Sequence, residues 1–320
     1  MILQIAGLIV GLVALVWSAD RFVIGASASA RILGVSPLVI GILVVGIGTS
    51  APEMLVSAIA AFQGKASLSV GNALGSNITN IGLILGITAL VAPLEVRSKI
   101  LFREIPLLIL VMLAGYLLLR DGELNRMDGT ILLVGFAAVI LRQLREAKHG
   151  VDDTLVAEYE ESLEKDMTMT AALLWLLIGF VVLLLSARLM VWAAVDIAVA
   201  LGISDLIIGL TIVAIGTSLP ELAASVAAVR KNEHDIALGN VLGSNLFNLL
   251  GVMALPGIIA PGLVDPAVLS RDYPVMIGLS VLLFITAYSF SGRRRRIERW
   301  EGGLLVGLYG AYLGLLVYTA

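Results

Sequence analysis

Adding 168 to a residue number in the first half of this chain lands on its counterpart in the second, with no gap from Ser18/Ser186 to Pro106/Pro274. The match is densest where Gly34, Ser36, Gly41, Gly48, Thr49, Ser50, Pro52, Glu53 and Ser57 answer to Gly202, Ser204, Gly209, Gly216, Thr217, Ser218, Pro220, Glu221 and Ser225. It continues through Gly71, Asn72, Gly75, Ser76, Asn77 and Asn80, which answer to Gly239, Asn240, Gly243, Ser244, Asn245 and Asn248. The chain is an internal duplication, and its fold has to give both copies equivalent surroundings.

Those surroundings are a bilayer. Of 320 residues, 59% are hydrophobic and 14% charged, with a mean hydropathy of +1.02, against roughly 45–50% apolar residues in soluble domains. A membrane-crossing helix needs about 20 mostly apolar residues. Breaks marked by charge, Pro or Gly divide the sequence into ten such stretches: 3–30, 37–62, 67–92, 101–119, 127–145, 170–200, 205–229, 235–260, 272–290 and 301–319. The first is read as a span and not as a signal peptide, because Met1 to Gln4 carries no basic residue and the apolar run is too long. The expected fold is therefore an all-α membrane protein with a first five-helix repeat over 1–145, an acidic cytoplasmic linker over 146–169 and a second repeat over 170–320.

Five is an odd number, so the second repeat must enter the membrane in the opposite sense to the first. Inverted repeats are an architecture of secondary transporters, with the site near the midplane where the halves meet. Cytoplasmic loops collect Lys and Arg. With both termini outside, the inner loops hold fifteen: Arg31, Arg97, Lys99, Arg103, Arg142, Arg145, Lys148, Lys165, Arg230, Lys231, Arg293 to Arg296 and Arg299. The outer loops hold four, Lys65, Arg120, Arg126 and Arg271, which decides for that orientation.

The chemistry sits in the repeated segments. Each half reads Gly-Thr-Ser-x-Pro-Glu, as Gly48 to Glu53 and as Gly216 to Glu221, inside an apolar span. A carboxylate at mid-membrane costs about 2.5–3.5 kcal/mol on insertion scales, so two related ones point to function. Pro52 and Pro220 should kink or break their helices and free carbonyls near Gly48 and Thr49, or Gly216 and Thr217. Thr49 and Ser50 precede Glu53 by four and three residues, a spacing that places hydroxyls and carboxylate on one helix face. Hard oxygens of this kind suit Ca2+, and the same oxygens suit Na+. In the next span Asn72, Ser76 and Asn80 form a polar stripe, repeated by Asn240, Ser244 and Asn248. Gly71/Gly75 and Gly239/Gly243 would let helices approach closely. Ser76, Asn80, Ser244 and Asn248 are read as ion contacts against the alternative of helix glue, where such bonds average about 0.6 kcal/mol. Asn72, Asn77, Asn240 and Asn245 are read as packing or helix-break residues.

These paired segments resemble the two alpha-repeats of the sodium/calcium exchanger family, within the calcium:cation antiporter superfamily, over nearly the whole chain. The resemblance implies a ten-span fold in which Glu53 and Glu221 bind Ca2+, helped by carbonyls of Thr49 and Thr217. It also implies Na+ subsites using Ser50, Ser218, Ser76, Ser244, Asn80, Asn248 and the backbone at Gly46 and Ala214. Many members carry an aspartate at one of the positions matching Asn80 and Asn248, and here both are amides. Two carboxylates balance one Ca2+ or two monovalent cations.

The expected function is Ca2+ for Na+ antiport by alternating access in the cell membrane, with the first and sixth spans sliding across the rest. Proton-coupled and K+-dependent exchange are the alternatives within the class; a channel is a more remote one. Zero cysteines exclude disulfides and thiol chemistry, and His149 and His234 alone build no haem or zinc site. Without an aspartate-rich diphosphate motif or a His pair, no enzyme and no cofactor is expected. Asp20 and Arg21 correspond to Arg188 and Leu189, so these intramembrane charges do not repeat and are read as structural pairing or snorkelling. The linker acids Asp152, Asp153, Glu158, Glu160, Glu161, Glu164 and Asp166 lack the EF-hand spacing of a regulatory Ca2+ sensor and are read as a solvated loop or short helix. The run Arg293 to Arg296 reads as an anchor near anionic lipid. No nucleic acid and no obligate protein partner is expected.

Overall fold

The computed structural model describes residues 2–64, 66–97, 100–148, 167–201, 214–288 and 295–319. The linker residues 149–166, including all its named acids, lie outside the described residues, as do 202–213, Arg293 and Arg294. The chain is helical almost throughout. We number the helices α1 Ile2–Leu33, α2 Pro37–Thr49, α3 Ala51–Phe62, α4 Leu68–Val91, α5 Ile100–Leu119 and α6 Arg126–Lys148 in the first half. The second half holds α7 Met169–Ala200, α8 Ala214–Thr217, α9 Leu219–Arg230, α10 His234–Ile259, α11 Val268–Ala287 and α12 Arg299–Thr319.

Among the described residues seven helices are long and apolar enough to cross a membrane, or eight if α2 and α3 count as one span bent by 45°. The expected stretch 37–62 is thus two helices meeting at Ser50. In the other half the break falls at Ser218. At both serines the backbone leaves helical geometry, with ψ of 6°, and Pro52 and Pro220 sit in the first turn of the helix that follows. There a proline forfeits only a donor that would have no intrahelical partner. The prolines start new helices instead of kinking continuous ones.

α4 and α10 lie at the centre, and every residue of α10 from Asp235 to Phe247 is buried. Both contain a π-helical stretch, Asn80–Leu85 and Asn248–Val252, that begins at the last asparagine of each polar stripe. Such stretches occur often at functional sites. α1 and α7 pack side by side at the periphery, with Trp17 edge-on to Trp175 and Phe22 against Phe180. Their other faces expose Ile9, Val13 and Val16, and Leu173, Leu177 and Leu185, as lipid contact requires.

Because lipid is as apolar as leucine, these helices associate through close packing and hydrogen bonds. α2 crosses α10 at backbone contact: a Cβ on Gly41 would stand 2.9 Å from the Ile236 carbonyl, and one on Gly243 would stand 2.7 Å from Ile42 Cα. The expected close approach therefore holds for Gly239 and Gly243. At Gly71 and Gly75 no described atom lies within 4 Å of an added Cβ, and the counterparts of Gly41 and Ile42 in the second half fall within 202–213. Two short antiparallel pairings stitch the halves together. Leu94–Glu95 pairs with Arg296–Ile297, and Glu123–Leu124 pairs with Gly262–Leu263.

Candidate ion site

Glu53 and Glu221 each sit in the first turn of α3 and α9, with 1% of their surface exposed. The positive end of a helix dipole favours a carboxylate there. The breaks at Ser50 and Ser218 turn each serine toward the other half. Ser50 Oγ donates to Glu221 Oε1 at 3.1 Å, and Ser218 Oγ donates to Glu53 Oε1 at 3.4 Å. This differs from the same-face grouping expected from the spacing of Ser50 and Glu53, because that spacing holds only within a continuous helix. Thr217 stands beside Glu53, while Thr49 and Ser244 stand beside Glu221.

The backbone of each glutamate is clamped from the neighbouring helix. Asn72 Nδ2 donates to the Glu53 carbonyl at 3.1 Å and to Ser57 Oγ at 2.9 Å. Asn240 Nδ2 donates to the Glu221 carbonyl at 3.0 Å and to Ser225 Oγ at 2.8 Å. Thr49 Oγ1 lies 3.0 Å from both the Val45 carbonyl and Asn240 Oδ1. Ser244 Oγ donates to the Gly46 carbonyl at 3.1 Å, and Asn80 Nδ2 donates to Asn245 Oδ1 at 2.9 Å.

Four buried oxygens of the predicted residues accept nothing: Glu53 Oε2, Glu221 Oε2, Asn80 Oδ1 and Asn248 Oδ1. Buried polar atoms in native proteins nearly always find a partner, and these four are left open to one. Among the described residues no cluster of three or more His, Cys, Asp or Glu side chains could hold a metal. The candidate site thus offers two carboxylates and neutral oxygens among the described residues.

Of the twelve residues expected at the site, hydrogen bonds or side-by-side placement join Gly46, Thr49, Ser50, Glu53, Thr217, Ser218, Glu221 and Ser244. Asn80 joins its neighbour Asn245. The side chains of Ser76 and Asn248 are buried and make no hydrogen bond among the described residues. Ser57 and Ser225 were legible only as repeated residues, although each lies four positions after a site glutamate. A second buried acidic pair at the same offset, Glu104 and Asp272, escaped the sequence reading. Glu104 is held by Arg142 and Gln143, and Asp272 by Arg271 and Tyr312, so both brace helix ends. Their signal was an acid two residues before Pro106 and Pro274.

A family model described as sodium/calcium exchanger protein matches residues 3–145 and again 171–318, one match in each half. The chain belongs to the sodium/calcium exchanger family. It is 50% identical over 309 residues to CaxA of Alkalimonas amylolytica, covering 96% of this chain and 97% of that protein. It is 44% identical over 325 residues to the inner membrane protein YrbG of Escherichia coli strain K12, covering 100% and 98%. A solved structure of the sodium-calcium exchanger NCX_Mj, soaked with 2.5 mM Na+ and 0.1 mM Ca2+, superposes with a TM-score of 0.83 at 34% identity, covering 98% of each chain. The exchanger described here is accordingly a multi-pass membrane protein and a cation/Ca2+ antiporter, a transporter and not an enzyme.

Proposed function

We propose that this exchanger moves Ca2+ against Na+ at a single site whose charged ligands are Glu53 and Glu221. The reading is carried by one observation: two buried carboxylates from equivalent helices, each held by a serine of the opposite half, and each with one oxygen left unpartnered. Ca2+ takes about six to eight oxygens. The glutamates, the hydroxyls of Ser50, Ser218, Ser76 and Ser244, the amides of Asn80 and Asn248, and carbonyls at Gly46, Thr49, Ala214 and Thr217 supply that chemistry for Ca2+ and Na+ in competition.

The halves over 1–145 and 170–320 act as inverted five-span repeats, ten spans in all, with both termini outside. The expected stretches 205–229 and 301–319 complete the count. Alternating access follows as α1 and α7 slide across the body. Coupling arises because an empty pair of carboxylates in a low-dielectric interior is costly, so the occluded passage is open only to a neutralised site.

The test is reconstituted Ca2+ uptake with one gradient varied at a time. An outward Na+ gradient is expected to drive uptake at constant pH without K+. Uptake driven by a pH gradient in the absence of Na+, or an absolute need for K+, would contradict the proposed counter-ion.

A further inference from the structure

The two ends of the duplicated body are closed differently. Asp20 of α1 forms an ion pair of 2.6 Å with Lys231, the residue that caps the C-terminal end of α9. The offset of 168 carries Asp20 to Arg188 on α7, and carries Lys231 back to Gln63, the cap of α3. Arg188 and Gln63 cannot form an ion pair, and Arg188 has no ionic partner among the described residues.

At that second end lies a cavity of about 320 Å3, walled by Pro52, Leu55, Val56, Ala187, Arg188 and Thr217. Thr217 stands beside Glu53, so the cavity reaches the wall of the ion site. The equivalent surface at the first end is packed more closely. Phe22 and Val23 are buried there, whereas their counterparts Met190 and Val191 are only half-buried. Pro220 is buried and Pro52 half-buried.

We propose that Asp20 and Lys231 are positioning residues whose ion pair latches α1 to the end of α9, keeps that mouth of the site shut and biases the exchanger toward the state open beside Arg188. This rests on the alternating-access reading above. When two related ends take turns at closing, an attraction present at one end alone favours the state in which that end is closed. In the proposed orientation the latched mouth is cytoplasmic. The pair is partly exposed, with 27% and 42% of the two side chains accessible, so its bias is modest, roughly two- to fivefold in the ratio of states.

The chain has no cysteine, so single cysteines report on each mouth of the full-length exchanger in proteoliposomes. Leu55→Cys marks the cavity and Ala223→Cys its counterpart, read by their rates of reaction with a small thiol reagent. Leu55→Cys is expected to react faster. Adding Asp20→Asn should raise the Ala223→Cys rate about two- to fivefold and slow that of Leu55→Cys; an unchanged ratio of rates overturns the latch. The exchange of Asp20→Lys with Lys231→Asp should restore the original ratio, and a ratio that stays at the Asp20→Asn value counts against the pairing. Gln63→Glu, which places an acid at the position equivalent to Lys231, should slow Leu55→Cys; an unchanged rate argues that an ion pair at this position does not close a mouth. Saturating Ca2+ separates the two levels of the argument. If Ca2+ alters neither cysteine's rate, alternating access itself fails. If Ca2+ alters both while Asp20→Asn alters neither, only the latch fails.

Discussion

The two asparagine helices, α4 and α10, perform one task identically and another differently. Asn72 and Asn240 clamp the carbonyls of Glu53 and Glu221 through matching bonds of 3.1 and 3.0 Å, each completed by a serine one turn along. Four to eight residues further on the likeness ends. Asn80 is paired with Asn245, whereas both amide atoms of its counterpart Asn248 are unpartnered, and Asn77 reaches only Met276 Sδ at 3.6 Å. The geometry that aims the two carboxylates is shared by the halves, and the neutral oxygens around them are not. Charge placement is thus a symmetric property of this fold, while the choice among cations has room to be set by one half.

That contrast breaks most readily at the clamps. Asn240→Ala removes the hold on the Glu221 carbonyl, the partner of Ser225 and an acceptor for Thr49 together, and each buried group left unsatisfied costs about 1–3 kcal/mol. Ca2+ transport is expected to fall by roughly a hundredfold, and Asn72→Ala, which removes the matching holds on the Glu53 carbonyl and on Ser57, should lower it by a comparable factor. Initial uptake rates measured on folded, monodisperse protein check this; a loss confined to one variant would show the clamps to be inequivalent.

A smaller effect is expected from the exchanged hydroxyls. Ser50→Ala and Ser218→Ala each remove one hydrogen bond to a carboxylate, worth about 1.5–3 kcal/mol, so Ca2+ affinity should weaken roughly tenfold in either variant. Equilibrium Ca2+ binding distinguishes this from a lopsided site, in which one serine would carry the whole loss. The mildest change is Asn248→Asp, which adds a charge where both amide atoms are unpartnered. It should shift the Na+ dependence of uptake more than the Ca2+ affinity; superimposable Na+ titrations would remove Asn248 from the monovalent sites.

Much of this was legible before any coordinates. Glu53 and Glu221 stood out because a charge costs so much in hydrocarbon that a repeated one demands a purpose, and α5, α7 and α10 lie within two residues of their apolar stretches. Asp20, whose charge does not repeat at Arg188, was read as structural pairing or snorkelling with no partner named, and the structure pairs it with Lys231. The exchange of serines between halves was not legible. Spacing along one helix linked Ser50 to Glu53, and only the break at ψ of 6° sends Ser50 across to Glu221. The clamp was equally hidden, because a side chain reaching a backbone carbonyl nineteen positions away leaves no periodic trace. Glu104 went unnoticed because it lies at a helix end, where an acid is ordinary; its complete burial is a tertiary property.

The central claim is that Glu53 and Glu221 form one site. Ca2+ binding and counter-ion-driven Ca2+ uptake, measured side by side on purified wild type, Glu53→Gln, Glu221→Gln and the double variant, test it most directly. A shared site predicts that either single substitution abolishes transport in a protein that remains folded, and that the second adds nothing to the first. Undiminished uptake in both single variants, or losses that multiply in the double variant as for separate sites, would contradict it.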